Sequence, residues 1–332
     1  MREEVLPAPA DSVSTRPPAT LVDYLSIARP DHWPKHVFII PGIALAYVLS
    51  PNAGTLNLVT VVLGFIVAMA IASANYVINE WLDAEFDAHH PTKSRRPAVA
   101  KQMSATMVYA WYTVLALLGL AVAALISKTY LLLAFAFLAS GWIYNIRPLR
   151  TKDQPYLDVA SEAINNPIRL MLGWAMVDPS TLPPSSLLIA YWAGGAFLMA
   201  TKRLAEYRHV AAKHGVEVLH LYRRSFRYYT EKRLLIYVFL CAQLAAFFIA
   251  VFLIKYRVEY ILTLPLFAIL FTIYLQMGLK DASNAQTPEK LFRERALMIT
   301  VLILVSLLVL LTVVDLPGLS WLADPHYMTI GG

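Results

Sequence analysis

Apolar residues in this chain come in long unbroken runs, not in the short alternating or 3.6-residue patterns of soluble elements. Runs of roughly 20 residues, enough to cross ~30 Å of hydrocarbon as a helix, recur along the whole length. The pattern predicts nine spans, at about 33–50, 56–79, 105–126, 129–147, 156–177, 184–203, 233–254, 258–279 and 295–315. The first is the weakest, because Pro34 and Pro41 interrupt it. The expected fold is all-α: a polytopic membrane helical bundle of nine transmembrane helices. The longest polar connection, 204–232, reads as an amphipathic helix lying near the cytoplasmic surface.

Composition agrees with the pattern. Of 332 residues, 58% are hydrophobic and only 15% charged, where a soluble domain carries about a quarter charged. A soluble enzyme is excluded. The single cysteine, Cys241, excludes an internal disulfide and a cysteine-based metal site. Residues 1–28 lack the basic and apolar regions of a signal peptide and, with Pro7, Pro9, Pro17 and Pro18, are expected to form a flexible tail. The membrane domain is then 29–316, followed by a short extracytoplasmic tail over 317–332.

Charge sets the orientation. With the N-terminus in the cytoplasm, only Lys128, Lys255 and Arg257 fall outside and Arg169 falls within a span; every other Lys and Arg lies on the cytoplasmic side. That bias follows the positive-inside rule and predicts a multi-pass protein of the cell's inner (plasma) membrane.

One stretch does not suit a membrane helix end. After the apolar run that closes at Ile78 comes NEWLDAEFDAHHPTKSRRP, residues 79–97. Asn79, Asp83 and Asp87, four apart, share one helix face, and Glu80 lies one position off it. Acids at a helix C-terminus meet the negative end of the macrodipole, so something positive must compensate them. The following loop, with Lys93, Arg95 and Arg96, is one candidate. The other is Mg²⁺, a hard cation held by one or two carboxylates and substrate phosphate oxygens. His89 and His90 read as solvated loop residues.

A second acidic pair, Asp158 and Glu162, opens the fifth span, with Asn165, Asn166 and Arg169 continuing into the membrane. Helix capping accounts for Asp158 but not for the rest. Arg169 lies roughly 16 Å deeper at 1.5 Å per residue. A charge that deep faces a polar cavity and a partner, here expected to be Glu162; Pro167 is expected to bend the helix. Two acidic clusters at one membrane face predict a central cavity open to the cytoplasmic side, with a two-metal centre and a diphosphate as leaving group. Asp83, Asp87, Asp158 and Glu162 are the candidate catalytic residues, and these with Asn79 and Glu80 the candidate metal ligands.

Asn79-Glu80-x-x-Asp83-x-x-x-Asp87 resembles the NDxxDxxxD motif of the UbiA superfamily of intramembrane prenyltransferases, with Glu80 in place of its first Asp. Asp158-x-x-x-Glu162 is similar to the second motif of that family, DxxxD, with Glu in its last place. The resemblance covers roughly residues 27–315 and implies nine spans, Mg²⁺ as cofactor, a diphosphate-bearing substrate and a lipid-soluble isoprenoid partner drawn from the bilayer, with no nucleic acid. Arg29-Pro30-x-x-Trp33-x-Lys35, His90-Pro91-Thr92-Lys93-x-x-Arg96-Pro97 and Lys202-Arg203-x-Ala205-Glu206 look most like the decaprenyl-phosphate phosphoribosyltransferase subgroup, whereas 154–169 departs from it. The subgroup implies phosphoribose transfer from phosphoribosyl diphosphate to a polyprenyl phosphate. Arg29, Lys35, Asn75, Lys93, Arg96, Tyr144, Arg150, Lys152, Asn165, Arg169, Lys202 and Arg203 are the candidate substrate-binding residues. Two alternatives stand beside it: isoprenyl transfer from a prenyl diphosphate to an aromatic or other acceptor, and, from another class, an ion-coupled transporter. Against transport, the acids gather at one face and the outer halves of the spans are almost purely apolar.

Overall fold

The structure, a computed structural model, describes residues 16–280, 291 and 293–319. These form helices, with a single isolated bridge between Pro18 and Gln102. The order begins with α1 (Leu21–Ser26), a 3₁₀ segment (Pro30–Ile39) running into α2 (Ile40–Leu49), the long α3 (Leu58–Asp87) and the short α4 (Pro97–Ala100). Then come α5 (Ala105–Ile126), α6 (Lys128–Asn145), α7 (Leu157–Ala163), α8 (Asn165–Ala175) and the long α9 (Ser185–His214). The chain closes with α10 (Val216–Tyr222), α11 (Glu231–Tyr256), α12 (Leu264–Leu279) and α13 (Arg295–Val313).

Local chemistry sets the boundaries. Asn57 starts α3 by accepting the N–H groups of Val59 and Thr60, and Ser127 and Thr230 do the same work for α6 and α11. The fifth predicted span is two helices. The ring of Pro167 cannot coexist with a helical carbonyl four residues back, at Ala163, and the helix breaks at Ile164. Asn165 Nδ2 takes up the carbonyl of Glu162 at 3.0 Å.

Five helical stretches are long and apolar enough to cross a membrane among the described residues: Leu58–Asp87, Ala105–Ile126, Glu231–Tyr256, Val258–Leu279 and Arg295–Val313. The other four predicted spans fall on the broken first segment, on the shorter α6, on the divided α7 and α8, and on the first half of α9. Leu117 and Leu125 on α5, Phe239 and Phe247 on α11 and Leu302 and Val309 on α13 are exposed, the apolar outer surface that a lipid-embedded bundle presents.

Two apolar cores organise the bundle. One packs Val67, Ile71, Tyr130, Phe137, Ile168 and Leu172, from α3, α6 and α8, with Ala116 of α5. The other packs Val159, Phe197, Leu204, Leu219, Phe226, Val238 and Tyr274, from α7 and α9–α12 with the turn at 224–227. α2 crosses α8 at backbone contact: a Cβ on Gly42 would lie 2.1 Å from the Leu170 carbonyl oxygen, and one on Gly173 2.1 Å from that of Ile39. Small residues on both helices make this crossing.

Two expectations are corrected. The segment 204–232 is no peripheral helix: α9 continues to His214, turns at Gly215 with φ +82°, and α10 folds back so that Leu219, Tyr222 and Phe226 are buried. Within the segment expected as flexible up to residue 28, α1 carries a capping box between Thr20 and Asp23, and Ile27 and Ala28 are buried against Val77 and Val108. Residues 1–15 and the tail beyond 319 lie outside the described residues.

Gly173→Val is expected to destabilise the bundle by about 1–3 kcal/mol or more through overpacking. The measurement is the midpoint of thermal unfolding in detergent, with Gly54→Val, where a Cβ meets nothing within 4 Å, as the control that stays near wild type.

Candidate active site

A cavity of about 620 Å³ opens where the polar end of α3 meets α6, α7, α8 and α9. One stripe of α3 faces it, Ala72, Asn75, Asn79, Asp83 and Asp87, the face that their spacing defines. Arg29, Lys35, Lys93, Arg96, Tyr144, Arg150, Lys152, Glu162, Asn165, Arg169, Lys202 and Arg203 line it too. The structure thus brings all twelve candidate substrate-binding residues, Asn75 included, to one space.

Around Asp83 the groups are tightly connected. Arg150 Nη2 donates to its Oδ1 at 2.9 Å, and Lys152 Nζ lies 2.5 Å from the same oxygen. Asn79 donates to Asp83 Oδ2 at 3.3 Å and to Asn145 Oδ1 at 2.5 Å, and Lys152 donates to Asn145 Oδ1 at 2.7 Å. Arg150 reaches this position from a backbone with φ +29°, a sparsely populated conformation of the kind that collects at functional sites. Asp87 pairs with Arg96. Of the two compensators weighed from sequence, the following loop supplies Arg96 to Asp87; the partners of Asp83, Arg150 and Lys152, come instead from the loop at 146–156, which the sequence did not single out for them.

The second acidic pair divides. Glu162 lines the cavity and accepts from Arg203 Nη2 at 2.9 Å and Tyr144 Oη at 3.0 Å. Asp158 does not line it. Asp158 is fully buried and accepts from Arg203 Nε at 3.3 Å, Ser225 Oγ at 3.1 Å and Tyr229, with Arg223 Nε at 3.5 Å. Glu80 likewise turns away from the cavity, where Arg29 Nε and Nη2 donate to its Oε2 at 3.1 and 2.8 Å. Asp158 and Glu80 are thus ion-pair anchors in this arrangement, because arginines from other elements occupy their carboxylates. Glu162 also proves to be the partner of Arg203 and not of Arg169, whose guanidinium lies over the Phe137 ring at 5.2 Å.

Sequence reasoning assigned no role in the site to Glu206 and Arg223. Glu206 is buried and draws together Arg203 at 3.2 Å, the Tyr222 hydroxyl at 3.2 Å, and His90 and Lys93 at 3.5 Å each. Arg223 donates to Tyr144 Oη at 2.9 Å. The signal for Glu206 was present, one turn after Arg203 on the same helix; nothing local marks Arg223 among the basic residues of its loop. His90 is buried, not solvated: its Nδ1 accepts the N–H groups of Thr92 and Lys93, leaving Nε2 to face Glu206.

In the loops, burial pushes the Lys93 amine down to about 8 against the pull of Glu206, and the Lys152 amine down to about 8 against that of Asp83. Among the described residues no three His, Cys, Asp or Glu side chains converge to hold a metal by themselves. Mg²⁺ does not need such a cage: it keeps waters and takes one or two carboxylates with substrate phosphates. Asp83 and Asp87, with Asn79 beside them and Glu162 across the cavity, fit that requirement once their cationic partners turn to phosphate.

Comparison with known proteins places this arrangement. Residues 37–301 match the profile of the UbiA prenyltransferase family. A decaprenyl-phosphate phosphoribosyltransferase of Mycobacterium tuberculosis is 29% identical over 230 residues, covering 67% of this chain and 71% of that protein. A protoheme IX farnesyltransferase of Xanthomonas campestris is 28% identical over 242 residues, covering 66% of this chain and 76% of that protein. Among solved structures, a UbiA homologue from Archaeoglobus fulgidus bound to GPP and Mg²⁺ has the same fold, with a TM-score of 0.65 at 20% identity, covering 88% of this chain and all of that one.

Asp158→Ala removes a buried acid from between two arginines, which costs about 3–5 kcal/mol. A large drop in the thermal unfolding midpoint is the expected outcome. Asp83→Ala lowers that midpoint less, because Arg150 keeps Asp153 and Lys152 keeps Asn145 as partners.

Proposed function

Since the chain belongs to the UbiA prenyltransferase family, which makes it a membrane-embedded transferase, we propose that its cavity ionises a diphosphate donor with Mg²⁺ and transfers phosphoribose from phosphoribosyl diphosphate to a polyprenyl phosphate. One observation carries this reading. Among the described residues the cavity is lined by Arg29, Lys35, Lys93, Arg96, Arg150, Lys152, Arg169, Lys202, Arg203 and Arg223 and by the acids Asp83, Asp87, Asp153, Glu162 and Glu206. With Glu80 and Asp158, which hold Arg29, Arg203 and Arg223 from behind the lining, these cations still outnumber the carboxylates. A cationic surplus in a low-dielectric site calls for anionic groups. A diphosphate that arrives with divalent cations leaves most of the surplus standing. A phosphorylated sugar and a lipid phosphate each add roughly −1.5 to −2 and bring the cavity toward neutrality.

Asp83 and Asp87, with Asn79 and Glu162, would hold Mg²⁺. Bound there, the ion neutralises charge on the departing diphosphate. The protein's own groups do the rest. Arg150, Lys152, Arg96 and Lys93 bind phosphate oxygens and stabilise the diphosphate as its bond to ribose C1 breaks. The positive charge that develops at C1 is met by an oxygen of the lipid phosphate, which forms the new bond, while Lys202 and Lys35 are placed to orient that phosphate. In this reading the helices make nine spans and the cavity faces the cytoplasm from the plasma membrane, because the basic loops gather at its end of the bundle. The matched phosphoribosyltransferase supports the donor. Prenyl transfer from a prenyl diphosphate is the second reading, favoured by the farnesyltransferase match and weighed down by the same cationic surplus.

The deciding test supplies purified protein and Mg²⁺ with labelled phosphoribosyl diphosphate and a polyprenyl phosphate, and in parallel with labelled prenyl diphosphate and aromatic acceptors. Label should enter the lipid extract in the first reaction; incorporation only in the second would replace this reading with prenyl transfer. Asp83→Ala and Asp87→Ala are expected to lose at least ~100-fold in turnover, a loss of about 2.7 kcal/mol of transition-state stabilisation, while expressing normally. Near-normal turnover of either variant contradicts the carboxylate role.

The Lys93 amine is charged below about 8 and loses its charge above it. The apparent KM for the diphosphate donor is therefore expected to rise as pH passes 8, and Lys93→Arg, charged throughout this range, should remove part of that rise, the rest belonging to Lys152, which loses its charge in the same range.

A further inference from the structure

The floor of the cavity differs from its mouth. At the mouth every carboxylate has a cationic partner, but at the floor polar groups stand incompletely used. Asn75 of α3 donates through Nδ2 to the Phe137 carbonyl at 2.9 Å, while its Oδ1 is buried without a hydrogen-bond partner. Arg169 of α8 lies over the Phe137 ring, and its Nε is also buried without a partner. Both groups line the cavity and both lie against Phe137. Asn145, about two helical turns beyond Phe137 on α6, shows what a structural amide looks like here: Nδ2 donates to the Gly141 carbonyl, and Oδ1 accepts from Asn79 and Lys152.

Neighbouring helices make room for these amides. A Cβ on Gly141 would stand 2.1 Å from Asn75 Oδ1, and a Cβ on Gly195 2.0 Å from Asn166 Nδ2. Glycines on α6 and α9 thus seat Asn75 and Asn166 at the cavity that Arg169 also lines, in a site where apolar residues would pack at less cost. A buried acceptor or donor left unpaired costs about 1–3 kcal/mol. A hydrocarbon chain pressed onto this floor would leave both atoms in that state. A hydroxyl group both donates and accepts, so at this floor its proton can serve the Asn75 amide, whose Oδ1 packs on Gly141 until a ligand draws it over, and its lone pair can serve Arg169.

We infer that the floor formed by Asn75, Asn166 and Arg169 recognises the hydroxyl groups of a sugar diphosphate, so that the cavity selects a hydroxylated donor over a hydrocarbon one. This rests on the reading of the cavity as a diphosphate-dependent transferase site and adds the group that chooses the donor. A site built to hydrogen-bond a hydroxyl rejects an analogue lacking it far more strongly than an apolar pocket rejects an added one.

The test is a binding measurement by titration calorimetry on the full-length purified protein with Mg²⁺, using phosphoribosyl diphosphate, dimethylallyl diphosphate and inorganic diphosphate as probes. Wild type should bind phosphoribosyl diphosphate more tightly than dimethylallyl diphosphate. Asn75→Leu should raise the Kd for phosphoribosyl diphosphate at least ~10-fold, the size of one lost buried hydrogen bond, and leave inorganic diphosphate unchanged. Dimethylallyl diphosphate should bind this variant as well as wild type or better. Arg169→Gln, with thermal unfolding followed in both variants, gives a second reading if one of them folds poorly. An unchanged Kd for phosphoribosyl diphosphate, or an equal loss for all three probes, overturns the hydroxyl role. Wild type that binds dimethylallyl but not phosphoribosyl diphosphate overturns it too, and leaves the transferase site standing. Wild type that binds no diphosphate at all overturns both.

Discussion

A charge inside a lipid-embedded bundle must be neutralised within the protein, and Arg203 is where this chain meets that demand. Its guanidinium is buried and donates to Asp158, Glu162 and Glu206 at 3.3, 2.9 and 3.2 Å. α7 is thereby held against α9. Arg223, arriving from the turn after α10, adds a second cation beside Asp158 and reaches Tyr144 on α6. Four separate elements are tied at one point. Breaking such a network by removing one member leaves a buried charge uncompensated, which is the costly direction. This corner of the bundle is consequently fixed by electrostatics as much as by the apolar core of α7 and α9–α12.

That constraint sorts the carboxylates into two kinds. Glu80 and Asp158 are buried, do not line the cavity, and are gripped by arginines from other elements. Asp83, Asp87 and Glu162 line the cavity, and their cationic partners line it with them. The first kind holds the frame. In the proposed reaction the second kind would exchange its ion pairs for a metal–phosphate complex without opening the bundle, since carboxylate and cation both line the cavity. Arg29 and Arg150, which hold an acid of each kind, both sit at positive φ, so the backbone itself is bent to deliver them.

The fold places the site but does not choose the chemistry. Proteins similar to this chain include a phosphoribosyltransferase and a farnesyltransferase by name, and in the proposed reading either donor would leave the same diphosphate behind. What distinguishes donors is the remainder of the molecule, and here the cavity continues from a cationic mouth to a polar floor instead of an apolar tunnel. Apolar lining is present, at Phe38, Leu198 and Met199, the side on which a lipid chain would pack in the proposed reaction.

Much was legible in the sequence. Long apolar runs fix helices because an unpaired backbone is intolerable in hydrocarbon, and i, i+4 spacing fixes a shared face, so Asn79, Asp83 and Asp87 were found together where expected. The dipole argument also held, in that acids at the end of α3 required cations. Which cations was beyond it: Arg150 and Lys152 lie 67 and 69 positions from Asp83, and nothing in a helical repeat names a partner at such range. The same limit explains Glu80 and Asp158, expected as metal ligands from their motif positions and found with their side chains held by Arg29 and Arg203. It explains Arg169, assigned to Glu162 by shared face and found against Phe137. Periodicity is a property of one helix and is written locally. The pairing of charges is decided by packing between helices, and only the folded bundle contains it.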